Sequence, residues 1–470
     1  MNFTDIHTLM PEIVMAVLAL VVLLSELVIR RKETVGLIAI VSVAVTAYFI
    51  PTSFGTVFNG MFISDGYSVF FKFIFFTCLI LTVLISSRYL EIERSSHGEY
   101  YALLMFATLG MMLMASAGDL IVLYLGLELM ALSLYVLTGF IRHEYRSNEA
   151  SLKYFLLGAF SSAVLLYGIM MIYAQTGTTD INTISSVLTE KKATVSLLLS
   201  VIFLLVAFSF KIALAPFHMW TPDVYEGAPT SITAFMSVGP KAAGFAVLGR
   251  VFLVGLYPLQ INWIPLLTGL SILTMAVGNI LAIQQRSVKR MLAYSSIAHA
   301  GYAVIGIIAG GNEGVSAMMN YLLIYMFMNI GAFSILILMR SEDFLGESLD
   351  DFKGLAKTHP LTAGLMLLFM FSLTGIPPTA GFIGKFYLFK AAVSAGYTWL
   401  AIVTVIFSAI SAYFYLRVVI YMYMHEPEGE AVSLSGSPSL GLALLISALL
   451  VLFIGIYPSP FISFARIVTG

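Results

Sequence analysis

The chain has 470 residues, of which 24 are Lys or Arg and 25 are Asp or Glu, so 10% carry charge while 60% are hydrophobic. A soluble domain carries about 25% charge, and this chain has too little to cover a wet surface, which excludes a water-soluble fold. A formal net charge of -1 argues against nucleic acid, and a single cysteine, Cys78, excludes an internal disulfide or a cysteine-ligated cluster or structural zinc within the chain.

The apolar residues fall in runs of about 18 to 25 between short polar joints, the length needed to cross a ~30 Å hydrocarbon core. In chain order they predict helices at 10–29, 35–51, 67–87, 100–117, 119–141, 153–175, 195–226, 231–255, 262–285, 291–310, 316–340, 360–396, 398–424 and 440–458. The fold class that follows is an all-α polytopic membrane protein with about fourteen transmembrane helices. The first run continues to a positive stop at Arg30-Arg31-Lys32, the pattern of a first span and not of a cleaved leader. The seventh and twelfth runs are too long for one straight crossing, because 32 residues rise about 48 Å. Each carries proline in its middle, at Ala215-Pro216 and at Gly375-Ile376-Pro377-Pro378, where a missing N–H and a clash with the preceding turn predict a break.

Taking the joints alternately, fourteen Lys and Arg fall on one side of the membrane and three, Lys191, Lys192 and Arg466, on the other. The richer side is cytoplasmic by the positive-inside bias, so both termini are expected outside. The chain divides into 1–99 with helices 1 to 3, 100–255 and 262–424 as two five-helix blocks, and 425–470 with the last helix. The broken helices hold the fourth place in each block. Glu128 and His299 lie 171 residues apart, and Lys211 and Lys385 lie 174 apart, so central ionisable groups recur at nearly one offset. An odd number of spans inverts the second block, and inverted repeats place functional groups at discontinuous helices.

A charge at mid-membrane costs at least ~2.5 to 3.5 kcal/mol, so each needs a reason. Glu128 sits midway along helix 5 in LYLGLELMALSLY, Lys211 just before the first break in FSFKIALAPFHMW, Lys241 midway along helix 8 in SVGPKAAGF, His299 midway along helix 10 in SSIAHAGY, and Lys385 just after the second break in GFIGKFYLF. Glu128 and Lys211 can neutralise one another as a structural pair. Lys241 and Lys385 have no obvious carboxylate, and a lysine that sheds its proton or is met by water there is a relay group. Lys153 and Arg250 lie near helix ends, Lys72 a little deeper, and Lys390 nearer an interface than Lys385, where long stems can snorkel to water. His218 caps the broken helix or joins a proton path, and His299 is either a satisfied core histidine or the imidazole intermediate between carboxylate and amine. The seven histidines lack metal-ligand spacing, and no glycine-rich phosphate loop is present.

Four segments, LYLGLELMALSLYVLTGF, FSFKIALAPFHMWTPDVYEGAPTSITAFMSVGPKAAGF, KRMLAYSSIAHAGY and FSLTGIPPTAGFIGKFYLF, resemble hallmark helices 5, 7 to 8, 10 and 12 of a known family. It is the antiporter-like membrane subunits of respiratory complex I, the proton-translocating NADH-quinone oxidoreductase, and related antiporters. The likeness spans essentially the whole chain. Within the family one subunit type characteristically has glutamate where this sequence has Lys385, and another carries a long extra C-terminal segment where twelve residues follow the last predicted span here; both departures point to the remaining type.

The resemblance implies a non-redox subunit of a translocase, moving protons along a buried Glu/Lys/His relay driven by quinone reduction elsewhere in the complex. It implies Glu128 and Lys211 as a paired entry site, Lys241 as the central relay and Lys385 as the exit-side lysine, with supporting roles for Lys153, His218, Tyr294 and His299. No cofactor or metal is implied in this chain; NADH, FMN, iron–sulfur clusters and quinone are implied in partner subunits. The implied partners are a neighbouring antiporter-like subunit, small membrane subunits of complex I and the lipid bilayer, in an energy-transducing membrane such as the bacterial inner membrane. Two other readings stay open. A Mrp-type cation/proton antiporter subunit would use the same lysines without co-purifying iron–sulfur subunits. A stand-alone secondary solute transporter would need a substrate pocket at the midplane.

Overall fold

In hydrocarbon every backbone N–H and C=O must find its partner inside the protein, and for apolar runs of this length the helix is the available solution. A computed structural model, which describes residues 3–29, 32–342, 344–427, 434 and 436–469, adopts it almost throughout. Arg30 and Arg31 of the basic ledger lie outside the described residues, as does the side chain of Lys32. The helices are α1 (Phe3–Val28), α2 (Lys32–Tyr48), α3 (Gly66–Ile92), α4 (Glu99–Ser116), α5 (Leu120–Thr138), α6 (Tyr145–Thr176), α7 (Ile181–Glu190), α8 (Val195–Lys211), α9 (Trp220–Gly227) and α10 (Thr230–Arg250). They continue as α11 (Gln260–Ile283), α12 (Val288–Ala309), α13 (Gly311–Met339), α14 (Leu355–Thr358), α15 (Pro360–Thr374), α16 (Ala380–Ser394), α17 (Thr398–Met424), α18 (Pro438–Ile456) and α19 (Ser459–Thr469).

Among the described residues twelve helical segments are long and apolar enough to cross a membrane. The other two predicted spans are not single helices. The seventh is α8 and α9 around an irregular segment that contains Pro216, with Ala213 in the left-handed region at φ 62°. The twelfth is α15 and α16 around residues 375–379. There α15 ends because Gly375 takes φ 93°, which costs glycine nothing, and the N–H groups of Gly375 and Ile376 both turn back to Phe371 O at 3.0 Å. The prolines forbid continuation, and the chain resumes as α16.

Burial separates a centre from a rim. The spans of α12 and α13 are 94% buried and the span Thr230–Gly255 containing α10 is 89% buried, against 28% for α1 and 33% for α17. The rim helices turn side chains such as Leu24, Ile402 and Tyr413 outward, where lipid takes the place of core.

Two close approaches of backbone position the ionisable groups. A Cβ on Gly110 of α4 would lie 2.5 Å from the backbone N of Met130, and one on Gly126 of α5 would lie 2.9 Å from Gly110 O, so α4 and α5 touch main chain to main chain beside Glu128. Asp119 caps α5 by accepting from the Ile121 N–H at 2.7 Å, which sets Glu128 about two turns into the helix. A Cβ on Gly381 would lie 1.7 Å from Ser372 O, and the Gly381 N–H donates to Ser372 Oγ at 3.1 Å, so α16 begins directly against the end of α15.

Besides the one-turn helix α14 and short 3-10 turns, three elements have no counterpart in the predicted spans. A hairpin pairs Gly55–Val57 with Phe62–Ser64 in the register Gly55↔Ser64. The short helix α7 buries Ile181, Ile184 and Leu188 on one face, and α19 follows the last predicted span and packs on α3 and α13. Each is too short to span, so length-based reading passes over them.

Candidate functional site

Lys241 lies midway along α10, 3% exposed, and its Nζ donates to Ser296 O at 2.7 Å and to Ser296 Oγ. Ser296 belongs to α12, and His299, three residues on, shares its face. His299 is 2% exposed; its Nδ1 is 2.6 Å from the Tyr321 hydroxyl of α13 and its Nε2 is 3.1 Å from the Tyr415 hydroxyl of α17. A neutral imidazole donates from one ring nitrogen and accepts at the other, so the two phenols serve either tautomer. The Tyr415 hydroxyl also meets Ser295 Oγ at 2.5 Å.

Lys385 of α16 is 4% exposed and donates to Leu373 O at 3.1 Å, Thr374 O at 2.7 Å and Ser408 Oγ at 2.8 Å. Three acceptors match the three donors of an ammonium. The carbonyls are those of the last turn of α15, which has no helical partners of its own and carries the negative end of the helix dipole. The break in the twelfth span therefore both creates the acceptors and aims them at the lysine. Ser408, Ser411 and Tyr415 stand at i, i+3 and i+7 on one face of α17, with Ser411 against Tyr302 and the Tyr302 ring 5.2 Å from Lys385 Nζ. His299 lies within electrostatic reach of both Lys385 and Lys241. These residues form a buried polar ladder of three hydrogen-bonded groups, around Lys241, His299 and Lys385, that meet one another through space and not by a direct bond. The serines and tyrosines of α12, α13 and α17 in it were not singled out from the sequence, because hydroxyls in apolar runs are common and only helix rotation selects these.

Glu128 and Lys211, expected as a pair, interact without touching. Glu128 Oε1 and Lys211 Nζ are both buried without a hydrogen-bond partner, and no ion pair within 4.0 Å joins them among the described residues. They interact through space, with Lys211 7% exposed at the last residue of α8 and 5.9 Å from the Phe210 ring centre. Helices α5 and α8 both pack against α6 and α10. His218 sits partly buried in the irregular segment between α8 and α9, its Nδ1 likewise without a partner.

Other predicted residues fall elsewhere. Lys153 is 42% exposed and bridges Glu149 at 2.8 Å and Asp223 at 3.0 Å. Arg290 bridges the same Asp223 at 3.0 Å and Glu226 at 2.5 Å, and the cluster lines a cavity of about 240 Å³. Lys153 is thus at the mouth of the bundle and not in the buried line. Tyr294 lies at that mouth too, its ring 5.9 Å from the Arg290 guanidinium. Lys390 is exposed.

Lys72, expected a little deeper than the helix ends, is fully buried and paired with Glu12 at 2.6 Å. Glu12 escaped notice although a carboxylate early in an apolar run was signal enough. Lys289, placed by sequence in a cytoplasmic joint, is 3% exposed, paired with Glu347 at 3.2 Å and donating to Ala228 O at 2.9 Å. Glu26, His97 and Glu99 bring possible ligand atoms within 4.8 Å of one another near the surface, with Glu26 Oε2 already accepting the Glu99 N–H at 2.7 Å.

This arrangement has close counterparts. The family described as "NADH:quinone oxidoreductase/Mrp antiporter, TM" matches residues 117–411. A protein named NADH-quinone oxidoreductase subunit N from Trichlorobacter lovleyi is 47% identical over 469 residues, covering 98% of this chain and 96% of its own. The chain belongs to the subunit N family of NADH-quinone oxidoreductases. A chain of respiratory complex I from Thermus thermophilus, solved with bound aureothin, matches this subunit N family member with a TM-score of 0.83 and 33% identity over 97% of this chain and 99% of that one. A chain of the Mrp complex from Dietzia matches at a TM-score of 0.83 and 21% identity, covering 100% and 97%, a likeness of fold.

Proposed function

We propose that this chain is the proton-translocating, non-redox subunit of an NADH-quinone oxidoreductase, and that Glu128, Lys211, Lys241, His299 and Lys385 carry its protons. The observation that supports this most directly is the row of buried hydrogen-bonding groups around His299, between two lysines that have no ion-paired carboxylate among the described residues. Ion pairs elsewhere in the bundle, such as Glu12 with Lys72, satisfy charge and stop; the ladder provides transfer.

Protonated Lys211 is stabilised by Glu128 through space, and any movement that separates them lowers the cost of passing its proton toward Lys241. Water crosses where groups do not touch, and the irregular segment at Pro216 is the place in α8–α9 where backbone polar groups admit it. From Lys241 the proton passes by Ser296 to His299, which receives it at one ring nitrogen and releases it from the other, and then to Lys385. Moving one charge against 100 mV costs ~2.3 kcal/mol, within the range of one opened or closed charge pair at low dielectric. Lys153, His218 and Tyr294 act at the entry mouth. The two five-helix blocks, 100–255 and 262–424, each contribute one half of the path.

The subunit is a multi-pass membrane protein of a respiratory complex, and the finer placement is the bacterial inner membrane with both termini outside. A reporter fused to the C-terminus is expected to be active only on the outer side; activity in the cytoplasm overturns the orientation. NADH, FMN, iron–sulfur clusters and quinone are assigned to the partner subunits, since one cysteine cannot ligate a cluster. The Mrp reading has the fold in its favour, and the subunit N relatives at 47% identity favour the oxidoreductase.

The test compares two glutamates in the assembled complex. Glu128→Ala leaves Lys211 buried without its nearest carboxylate and is expected to lower coupled proton pumping by about tenfold. Glu26→Ala, at the surface, is expected to change it less than about twofold. Equal, small effects reduce Glu128 to a structural group.

A further inference from the structure

The ladder ends at Lys385 and His299, both nine-tenths or more buried, so a proton that arrives there still has to leave. Polar residues continue beyond them along the facing sides of α13 and α16. On α13, Glu313, Ser316 and Asn320 repeat at i, i+3 and i+7; on α16, Tyr387 and Lys390 are three apart. These side chains line one narrow cleft that opens at the surface and is bordered by α19, which adds the charged Arg466 to the lining. At its inner end Asn320 is 4% exposed; its Nδ2 donates to Ser316 O at 3.0 Å, while its Oδ1 is buried with no partner. An unsatisfied buried amide oxygen costs about 1 to 3 kcal/mol and is retained here against that cost. The next residue, Tyr321, holds His299 Nδ1 at 2.6 Å, so neck and ladder meet at one level of α13. Gly384 lets α16 close on that level, since a Cβ there would already lie 3.0 Å from the Tyr321 ring. Glu313 is seven residues, about 10 Å, farther out than Asn320.

We infer that this cleft is the proton exit of the subunit, with Asn320 as its neck and Glu313 and Lys390 as its mouth. The inference rests on the relay reading and adds the residues of release. The Asn320 Oδ1 accepts a hydrogen bond from water entering the cleft; Lys385 gives up a proton to that water and becomes neutral, and its ammonium is restored by the next proton from His299. Glu313 takes the released proton to the bulk, and exposed Lys390 keeps other cations from entering. Asn320 is a positioning residue, since it holds water without titrating.

Two measurements on the full complex test this. In the first, Asn320→Cys and Tyr387→Cys are made separately with Cys78→Ser, in sealed cells, and treated with a membrane-impermeant thiol reagent. Labelling from the outer side is expected; labelling only from the cytoplasmic side, or none at either position, overturns the exit. In the second, Asn320→Leu is expected to reduce proton pumping about tenfold, equivalent to about 1.4 kcal/mol of added barrier. Asn320→Asp and Asn320→Ser, which keep an acceptor, are expected to recover it to within about threefold. NADH oxidation by a water-soluble artificial acceptor reports assembly in each case. Full pumping by an assembled Asn320→Leu complex, while Lys241→Arg fails to pump, removes the cleft and leaves the relay; full pumping by both removes the relay itself.

Discussion

Replacing Lys241 by arginine is expected to abolish most proton pumping in an assembled complex although the positive charge is kept. A guanidinium does not release its proton in proteins, whereas an amine on Ser296 can pass one on toward His299. The loss expected is about a hundredfold, the lower end of what a positioned proton-transfer group contributes. A structural role makes the opposite forecast, since arginine has more donors for the two oxygens of Ser296. Size is the confounder, because the site is 3% exposed and guanidinium is bulkier. Lys241→Met separates the two: it keeps the approximate length, loses the titrating group, and should fail to pump as well. The measurement is acidification by sealed vesicles oxidising NADH, against the amount of assembled complex. Full pumping by Lys241→Arg takes Lys241 out of the path.

Replacing Lys385 by methionine is expected to remove pumping and also to weaken the protein, which sets it apart from Lys241→Met. Methionine leaves Leu373 O at the end of α15 without its donor, and Thr374 O with only the long 3.5 Å bond from Ser408 Oγ. A buried, unpaired carbonyl costs about 1 to 3 kcal/mol, enough to loosen the junction between α15 and α16. Lys385→Arg supplies donors to the same carbonyls and is expected to restore thermal stability without restoring pumping. The readouts are the unfolding midpoint of the purified complex and its proton flux. If Lys385→Arg pumps normally, the lysine is only a cap for the broken helix; if Lys385→Met is as stable as the parent, the cap is unnecessary.

How far each feature could be read from the residues depends on whether its cause is local. Apolar runs specify helices because lipid offers the backbone no other partner, and the runs at α3 to α6, α10 to α13 and α17 and α18 fall within several residues of their predicted positions. The breaks follow from Pro216 and Pro377-Pro378, whose missing N–H groups act at their own positions. Lys211, Lys241, His299 and Lys385 were legible as site candidates for the same reason, since the cost of a charge among apolar neighbours is a property of the run that holds it.

What each charge meets was not legible. Partner choice depends on how neighbouring helices rotate and how closely they approach, and a periodicity of 3.6 constrains neither for helices buried all round. Tertiary packing therefore decided that Glu128 and Lys211 do not touch, that Lys153 faces an ion cluster at the mouth, and that Lys72 finds Glu12. It also decided that α15 ends where its carbonyls point at Lys385, and that single faces of α12 and α17 supply the hydroxyls between the lysines. The sequence by itself determined that this chain spans a membrane many times and carries titratable groups where lipid forbids them. Only the tertiary structure decided which polar groups come within hydrogen-bond reach of those charges, because that distance is set between helices, not along them.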